Sequence, residues 1–479
     1  MATKTYNLPT LKTASGNVQI KIYHEDAATS TINIDDLEWD LSPIVMPFEV
    51  VDKSQAFRFS SCRIKVLNRN NAFETNGIYN ETYKNKTFVD IYKDGAKFWS
   101  GRLVWEKSKK KEWYKSASGL KYFIYDLYCI DKLEYLNTMT LADASYADDQ
   151  AYYTIFLNIA GALGLSLKFP TASEWKITEW AGREYALISG ATGLLKVRGL
   201  NSSQNLLSFV KDFCLAFGLI VYNLNGELVF SNRAGGTANS LADRDILIPV
   251  EKVQDYNTID YIEIIGHIDF GNLYNSSLPN NYEVSGKYGT QNANDARRNF
   301  SVVDDVIFPG TFIFFDNADA QYPLPAANPN SGGTTTIGYT DFHGAGHEVE
   351  SGMKVMFNYD DFSLLYDDIS VILDSGNGTD ISFYSTGNAA STSKKFQVDR
   401  QGGNPAGQQK YIYKIDKLVK YVRDIYKTYF YNETYDLKVF GIKEPGDLFA
   451  WDGKSLKAAK CSIDLKNNRT GLSLRVLRP

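Results

Sequence analysis

Two histidines four residues apart, His343 and His347, lie beside carboxylates in the segment 341–348. Imidazoles at this spacing bind zinc when one turn of a helix presents both of them. A metalloprotease helix has the order His-Glu-x-x-His, which this segment lacks. Gly344 and Gly346 lie between the two histidines and disfavour a helix. The segment therefore predicts an exposed glycine-rich loop, and a metal site is the less favoured interpretation.

Acidic residues also cluster in the segment 374–380. It misses the spacing of a calcium-binding loop, so a hairpin turn is the favoured interpretation. The adjacent pairs Asp360/Asp361 and Asp367/Asp368 could suggest glycosidase chemistry. With 56 acidic residues in the chain, adjacent pairs are expected by chance.

A basic run at Lys107 and 109–111 is followed by Glu112, Trp113 and Tyr114. Contact with nucleic acid or membrane is one interpretation, but a solvated hairpin loop projecting from the first β-barrel is favoured. No Gly-x-Ser-x-Gly, Walker or Rossmann pattern stands out. We therefore predict no catalytic residue, no cofactor site, no metal ligand and no enzymatic activity.

The composition is that of a globular, strand-rich protein. At 479 residues, about two to four domains are expected. An aromatic content of 14% suits the half-buried faces of sheets. The net charge of −5 argues against a protein that binds nucleic acid tightly.

Targeting and redox signals are weak. The N-terminus has no apolar signal-peptide core, and the apolar stretch 151–167 is too short and polar to span a bilayer. The four cysteines, at positions 62, 129, 214 and 461, form no Cys-x-x-Cys pair. At least three of them are interpreted as small core residues, in a protein made in a reducing cytoplasm.

Alternation of apolar and polar residues dominates the first part of the chain and predicts a barrel or a sandwich. The predicted strands are 17–23, 57–59, 62–66, 88–92, 98–104 and 122–130.

After Leu141 two helix–glycine–strand units are predicted. In the first, Asp148 or Asp149 caps a helix that runs to about Ala162 and ends before Gly164. In the second, Ser202 or Ser203 caps a helix with apolar residues at helical spacing. Those apolar residues are Leu206, Val210, Phe213 and Phe217, and Gly218 follows them. A hairpin then joins 219–222 to 228–230 across Asn225-Gly226.

Strands are predicted again at 246–250 and 260–270. The long polar stretch 271–410 still contains strand-like runs, and a structureless loop of this length is improbable in a compact fold. It is interpreted as an inserted β domain. A helix over 416–430 leads to the closing strands, whose turns are 445–446, 452–453 and 467–471.

This order of elements resembles the tail hub proteins of bacteriophages, meaning the baseplate hub of contractile tails and its counterpart in long flexible tails. The resemblance is carried by 57–68, by the aromatic-x-Gly strand 98–104, by 201–219 with 226–230, and by 441–477. The resemblance depends on the order of these four segments along the chain, because each motif alone is degenerate.

The resemblance implies a mainly β fold with an α+β insert, in which two tail-tube-like β-barrels are bridged by two helix–strand units. The expected domains are 1–136 as the first barrel, 137–245 as the α+β connecting domain, 246–270 with 431–479 as the second barrel, 271–410 as the inserted β-rich domain, and 411–430 as the helix leading into the final barrel.

The resemblance also implies a structural virion protein. It would form a homotrimeric hub at the virion tail tip, assembled in the host cytoplasm, with a channel for genome exit. The implied partners are the tail tube or a distal tail protein ring, other tail-tip or baseplate subunits, the tape measure protein, and genomic DNA in transit. The 271–410 insertion would contact the host surface.

Two other hypotheses remain from the sequence. A multi-domain β protein for carbohydrate binding or host adhesion would use the abundant Trp and Tyr to stack on sugars, although the signal peptide that secretion requires is not evident. A hydrolase within the insertion would need a catalytic constellation that the sequence does not display.

Overall fold

The structure is a computed structural model that describes residues 3–247 and 433–477, the strands given below between them, and the helical residues Ile425 and Thr428. Within the first part, the residues left undescribed are 26, 35–36, 47–55, 69–72, 74–76, 79–80, 84–85, 115–120, 149, 172–175, 179–183, 187–194 and 237.

The N-terminal β region consists of ten strands. They are β1 (Thr3–Asn7), β2 (Leu11–Thr13), β3 (Gly16–Glu25), β4 (Ser30–Asn33), β5 (Leu37–Leu41), β6 (Ile44–Met46), β7 (Ser61–Asn68), β8 (Thr87–Lys93), β9 (Ala96–Tyr114) and β10 (Lys121–Asp131). Short 3-10 helices lie at Glu81–Tyr83 and Lys132–Thr138. In β3, β5 and β7 buried residues alternate with more exposed ones, as expected of strands that bury one face.

The described residues of the connecting region include two α-helices of eleven residues each. Its elements are β11 (Gln150–Ala151), α1 (Tyr152–Ala162), β12 (Ser166–Lys168), β13 (Lys176–Thr178), β14 (Glu184–Ala186), β15 (Leu195–Arg198), α2 (Leu206–Ala216), β16 (Leu219–Leu224), β17 (Glu227–Asn232), β18 (Ala238–Ser240) and a 3-10 helix at Asp243–Asp245.

Eight further strands are β19 (Glu251–Gln254), β20 (Tyr261–Asp269), β21 (Ser301–Phe314), β22 (Thr334–Asp341), β23 (Ser351–Asp361), β24 (Val371–Leu373), β25 (Asp380–Phe383) and β26 (Lys394–Gln397). The C-terminal β region consists of β27 (Glu433–Phe440), β28 (Leu448–Trp451), β29 (Lys454–Asp464) and β30 (Arg469–Val476).

Aspartate– or asparagine–glycine turns set the registers of three hairpins. Both central residues have positive φ at Asp94-Gly95, Asn225-Gly226 and Asp452-Gly453. This is the conformation of a type I′ turn, whose twist matches that of the flanking strands. The turns join β8 to β9, β16 to β17 and β28 to β29. The hairpin predicted across Asn225-Gly226 is therefore confirmed.

The mainly β fold is confirmed. The described pairings join both β regions in one sheet of 16 strands, along the path β19-β27-β30-β29-β6-β7-β10-β9-β8-β3-β1-β4. No described pairing closes either region into a ring, so the expectation of two closed barrels is wrong for the residues described. Instead, β6 and β29 pair with each other across the two regions.

Three strands of the insertion, β21, β22 and β23, form a separate sheet of six strands with β11 and β15 of the connecting region and with β20, in the order β11-β15-β21-β23-β20-β22. Here β20 pairs with β22 and β23, whereas β19 pairs with β27 of the C-terminal region. The sequence analysis assigned the residues of β19 and β20 to the same predicted barrel, but in the structure the two strands belong to different sheets. The predicted domain boundaries themselves stay predictions.

Two local predictions were wrong. Helix α1 begins at Tyr152 after Ala151, which makes no side-chain cap. Asp148 instead accepts hydrogen bonds from Tyr146 Oη at 2.6 Å and Gly199 N at 2.9 Å. Asn205, rather than Ser202 or Ser203, caps α2 by accepting from two backbone N–H groups of the first turn.

The predicted strand 57–59 was also wrong. Only Phe57 pairs, in an isolated parallel bridge to Val221 of β16. Most of the predicted 416–430 helix lies outside the described residues.

Gly101 of the predicted aromatic-x-Gly strand makes room for Trp99, two residues earlier on the same face of β9. A Cβ atom at Gly101 would clash with the Trp99 indole and with the carbonyl oxygen of Ile130. Trp99 is fully buried, and its Nε1 donates to Ser60 Oγ at 2.7 Å. The glycine therefore has a packing role that the sequence pattern only hinted at.

We predict that Gly101→Ala lowers the free energy of unfolding by about 1–3 kcal/mol, because the methyl group displaces a buried indole and meets a backbone oxygen. The urea midpoint, followed by tryptophan fluorescence, measures the change. Gly161→Ala is the matched control, since a Cβ atom there has nothing within 4 Å and alanine favours the helix. A Gly101→Ala protein as stable as the control would contradict this packing role.

Candidate functional site: the junction of the two β regions

The enzyme-like clusters of the sequence fall mostly outside the described residues. These include 342–350, with both histidines, and 367–368 and 374–379. Asp341 ends β22, Asp360 and Asp361 end β23, and Asp380 begins β25. Among the residues that the structure describes, no group of three metal-ligating side chains is present.

The basic run lies within β9 and is not the loop that was expected. Lys109 is opposite Asp126 of β10, and Lys111 is opposite Ile124. Lys110 Nζ is 4.0 Å from the ring centroid of Phe123. The lysine side chains are exposed, and their backbone forms a strand because it pairs with β10.

The junction proper begins where β6 pairs antiparallel with β29. Ile44, Val45 and Met46 lie opposite Ile463, Ser462 and Cys461. On the other side of β6, Val45 pairs with Ser61 of β7. This strand of three residues therefore makes the two β regions one continuous sheet. A single apolar core of buried residues follows the sheet across the junction.

A second contact fixes the same junction near β2. Ser15 Oγ donates to the carbonyl oxygen of Leu465 at 2.5 Å, and Ala14 N donates to that of Lys466 at 3.1 Å. Lys466 Nζ is 2.9 Å from Asp40 Oδ1. The ion pair is half exposed and contributes little, so the backbone bonds provide the geometric constraint.

The β16–β17 hairpin of the connecting region docks onto the N-terminal β region through backbone hydrogen bonds. Arg58 N donates to Val221 O at 2.8 Å, and Val221 N donates to Ala56 O at 2.9 Å. At the hairpin tip, Asn225 N donates to Phe98 O at 2.6 Å. These bonds leave the hairpin little freedom to slide against β9.

A buried polar network lies beneath this docked hairpin, centred on the carboxylate of Asp131. Ser60 donates to Oδ2 from its Oγ at 2.5 Å and from its backbone N at 3.2 Å. Leu133 N donates to Oδ1 at 3.0 Å, and Asn223 Nδ2 donates to the same oxygen at 3.1 Å. Asn223 also donates to Ser100 O at 2.7 Å. One carboxylate thus joins β10, the segment before β7 and the docked hairpin.

Burial raises the pKa of Asp131 to about 6, although the donors from Leu133, Ser60 and Asn223 favour its ionised form. The ionised group is retained because its removal would leave several buried donors without an acceptor.

The 441–447 loop connects the C-terminal β region to the same hairpin. Asn225 Nδ2 donates to Glu444 Oε1 at 2.6 Å, and Tyr222 Oη donates to Oε2 at 3.4 Å. Burial raises the pKa of Glu444, while Lys168 opposes the shift. The fully buried Lys457 donates to Gly446 O in this loop at 2.5 Å.

Sequence reasoning missed Asp131, Asn223, Glu444 and Lys457. The available signal was a polar residue in an otherwise apolar strand, as with Asn223 in β16, all of whose residues are buried. Such a residue marks a buried hydrogen bond. The four cysteines are buried and free, as expected of small core residues.

No family model and no curated protein matches this chain. Among solved structures, the 43 kDa tail protein of prophage MuSo2 from Shewanella oneidensis is similar at 9% identity and a TM-score of 0.38, covering 91% of this chain and 93% of that chain. Prophage tail protein gp18 from Listeria monocytogenes EGD-e is similar at 10% identity and a TM-score of 0.33, covering 91% of this chain and 89% of that chain. Within the described ranges, no helix is long and apolar enough to cross a membrane.

The raised pKa of Asp131 predicts a pH-dependent stability. A carboxyl group with a folded-state pKa above the unfolded value of 3.8 binds its proton more tightly in the folded protein. The stabilisation of the folded protein by protonated Asp131 is therefore fully present below pH 3.8 and is lost as the pH rises through about 6. The loss is about 3 kcal/mol, at 1.36 kcal/mol per pKa unit.

Urea midpoints of the wild type and of Asp131→Asn at several values between pH 4 and pH 7 measure this effect. The advantage of the wild type over the variant should shrink over that window. Asp143→Asn is the control, because its pKa is lowered by hydrogen bonds from Thr140 and its titration lies below the window. A difference between the wild type and Asp131→Asn that stays constant with pH would contradict the assignment.

Proposed function

We propose that this chain is a structural, non-enzymatic subunit of a bacteriophage tail, and that it forms the hub at the tail tip. The observation that carries the proposal is the β6–β29 pairing, which holds two β regions side by side in one sheet. A hub of the family that the sequence resembles needs two tube-like β modules at a fixed spacing in each subunit.

The proposed assembly is a homotrimer with threefold symmetry. Because each chain contributes two similar β regions, the ring of six β regions has pseudo-sixfold symmetry. Sixfold tube subunits could then dock on it. A closed cyclic ring requires a head-to-tail interface in which two different surfaces of the chain meet. Permanent interfaces of this kind bury about 2,000 Å² or more. If the two β regions shared no strand pairing, ring assembly would also have to fix their relative orientation. The entropy lost in doing so would offset part of the free energy gained at the subunit interface.

The proposed partners follow from this place in the virion. The tail tube or a distal tail protein ring would lie on one side, and other tail-tip or baseplate subunits and the tape measure protein on the other. The 271–410 insertion would contact the host surface. Three chains of charge −5 carry −15 together, so genomic DNA would pass without being held.

The alternative of a carbohydrate-binding protein lacks a supporting observation. Aromatic rings that stack on sugars must reach solvent, and Trp39, Trp99 and Trp105 are at least nine-tenths buried. Within the described part of the chain, the large hydrophobic residues that are exposed are Leu157 and Phe440. Of these, only Phe440 carries a ring, and the Arg469 guanidinium lies 5.8 Å from its centroid.

Light scattering of the purified protein, with negative-stain images of the same sample, tests the proposal. The expected particle has a mass of about 160 kDa, three times the 53.8 kDa chain, and is a threefold ring with an open channel. A twofold dimer or an open filament would contradict the ring. So would a protein that stays monomeric when it is mixed with the tail-tube protein of the same phage.

A further inference from the structure

Cations cover the outer face of three neighbouring strands, β7, β10 and β9. In β7 and β10 buried residues alternate with more exposed ones, and the outward positions of β10 include Asp126 and Tyr128. Lys65 of β7 and Lys109 of β9 lie opposite Asp126, and Arg63 of β7 lies opposite Tyr128. With two further lysines of β9 these residues form a surface named here the basic face, which consists of Arg63, Lys65, Lys107, Lys109 and Lys111.

The carboxylates near the basic face do not neutralise it. Asp126 is bound to Arg63, whose Nη1 lies 3.1 Å from Oδ2. Asp40 of β5 lies opposite Lys65 but is bound to Lys466. Within the part of the chain that the structure describes, no ion pair involves the four lysines of the face, and all four are exposed. The basic face therefore presents an excess of positive charge to solvent.

The basic face also contains apolar groups. The Tyr128 ring lies between two cations, with the Arg63 guanidinium 5.1 Å and Lys107 Nζ 5.3 Å from its centroid. Leu67 and Ile124 lie opposite each other on the same side of the sheet, and both are half-buried. Tyrosine and arginine are enriched at protein interfaces. This combination of groups therefore suits contact with another protein surface.

A surface of opposite charge follows the end of β10. Residues 133–167 contain four carboxylates and no lysine, arginine or histidine. Leu157 of α1, a large hydrophobic residue that is exposed, belongs to the same segment. Asn158 Nδ2 donates to Ala144 O at 2.9 Å, which holds α1 against the turn that carries Asp143. The carboxylates of this acidic surface that the structure shows exposed are Glu134, Asp143 and Asp148.

The acidic surface begins at the opposite end of β10 from the basic face. Lys109 lies opposite Asp126, whereas Glu134 follows Asp131, the last residue of the strand. The five residues from Asp126 to Asp131 span about 17 Å. This exceeds the Debye length of about 8 Å at physiological ionic strength, so Glu134 does not neutralise the basic face of its own chain.

We propose that the basic face docks on the acidic surface of a second copy of this chain. A head-to-tail ring joins two different surfaces of identical chains, and these two surfaces have opposite charge. The closed ring rests on the proposed function, whereas the docking of the two surfaces rests on their charge and exposure. Nucleic acid is the less favoured occupant, because the chain as a whole is acidic.

Zero-length carbodiimide cross-linking of the wild type tests the proposal, because the reagent joins an amine to a carboxylate only where the two are in contact. A mixture of isotopically light and heavy chains distinguishes inter-chain from intra-chain products in peptide mass spectrometry. The expected inter-chain products join lysines of the basic face to Glu134, Asp143 or Asp148. Their absence would overturn the proposal, and this result does not depend on the folding of any variant.

Charge reversal is an independent test. The double variant Lys109→Glu, Lys111→Glu should raise the dissociation constant of self-association at least about tenfold, because like charges then face each other across the contact. Sedimentation velocity measures the change. Lys12→Glu with Lys460→Glu is the matched control, since both lysines are exposed outside the basic face and the net charge changes equally. Equal dissociation constants for the two double variants would overturn the proposal.

Other outcomes separate this interface from the proposed ring. Chains that cross-link through the two surfaces but form an open filament would contradict only the ring. A threefold ring whose inter-chain cross-links leave out the basic face would contradict only the interface. Binding of a duplex oligonucleotide that the Lys109→Glu, Lys111→Glu variant loses would assign the face to nucleic acid and overturn the proposal.

Discussion

The short strand β6 holds together residues from the two ends of the chain. Its three residues pair with β29, more than 400 positions later, and through β7 with the rest of the N-terminal region. Without this pairing no described strand ladder would join the two β regions, and the hydrogen bonds of Ala14 and Ser15 to the 465–466 turn would be their direct backbone contact. With it, they share one sheet and one core. Closing a loop of this length costs conformational entropy, which the strand pairing and the shared core must offset.

Polar groups at the junction make the docking specific. The Asp131 carboxylate accepts from Ser60, Leu133 and Asn223, which belong to three different segments. Apolar packing alone would tolerate a shift of the β16–β17 hairpin, whereas a buried carboxylate with four donors tolerates only one position. Lys457 has the same effect beneath the 441–447 loop. The cost of burying these charges is the origin of the pH dependence at Asp131.

Local sequence signals predicted local structure well. Asn225-Gly226 and Asp452-Gly453 gave correct turns because positive φ at two successive residues leaves few alternatives. Leu206, Val210, Phe213 and Phe217 were expected on one apolar face and are all buried. The start of α2 was placed slightly too early, because several residues before Leu206 can cap a helix and the choice among them depends on tertiary contacts. Asn205, for example, also donates to Asn137 O.

Non-local features escaped the sequence for a physical reason. Alternation identifies a strand but not its partner, and the three residues of β6 are too few to show alternation, so the sequence predicted neither β6 nor its pairing with β29. Lys107 and its neighbours were predicted to form a loop because the run is charged, whereas their strand pairing is set by β10, which comes later in the chain. Nothing in the local sequence marked Asp131 and Glu444 as buried, since their burial is set by elements far away in the sequence.

A disulfide trap at the β6–β29 pairing tests the account most directly. Val45 and Ser462 are opposite each other, and both are half-buried, so the double variant Val45→Cys, Ser462→Cys satisfies the Cα spacing of a disulfide. Val45→Cys with Ser455→Cys is the control, because Ser455 pairs with Ala450 of β28. After mild oxidation, non-reducing peptide mapping should find the 45–462 cross-link within single chains and none between 45 and 455. Absence of the 45–462 cross-link, or equal cross-linking in the two variants, would contradict a continuous sheet.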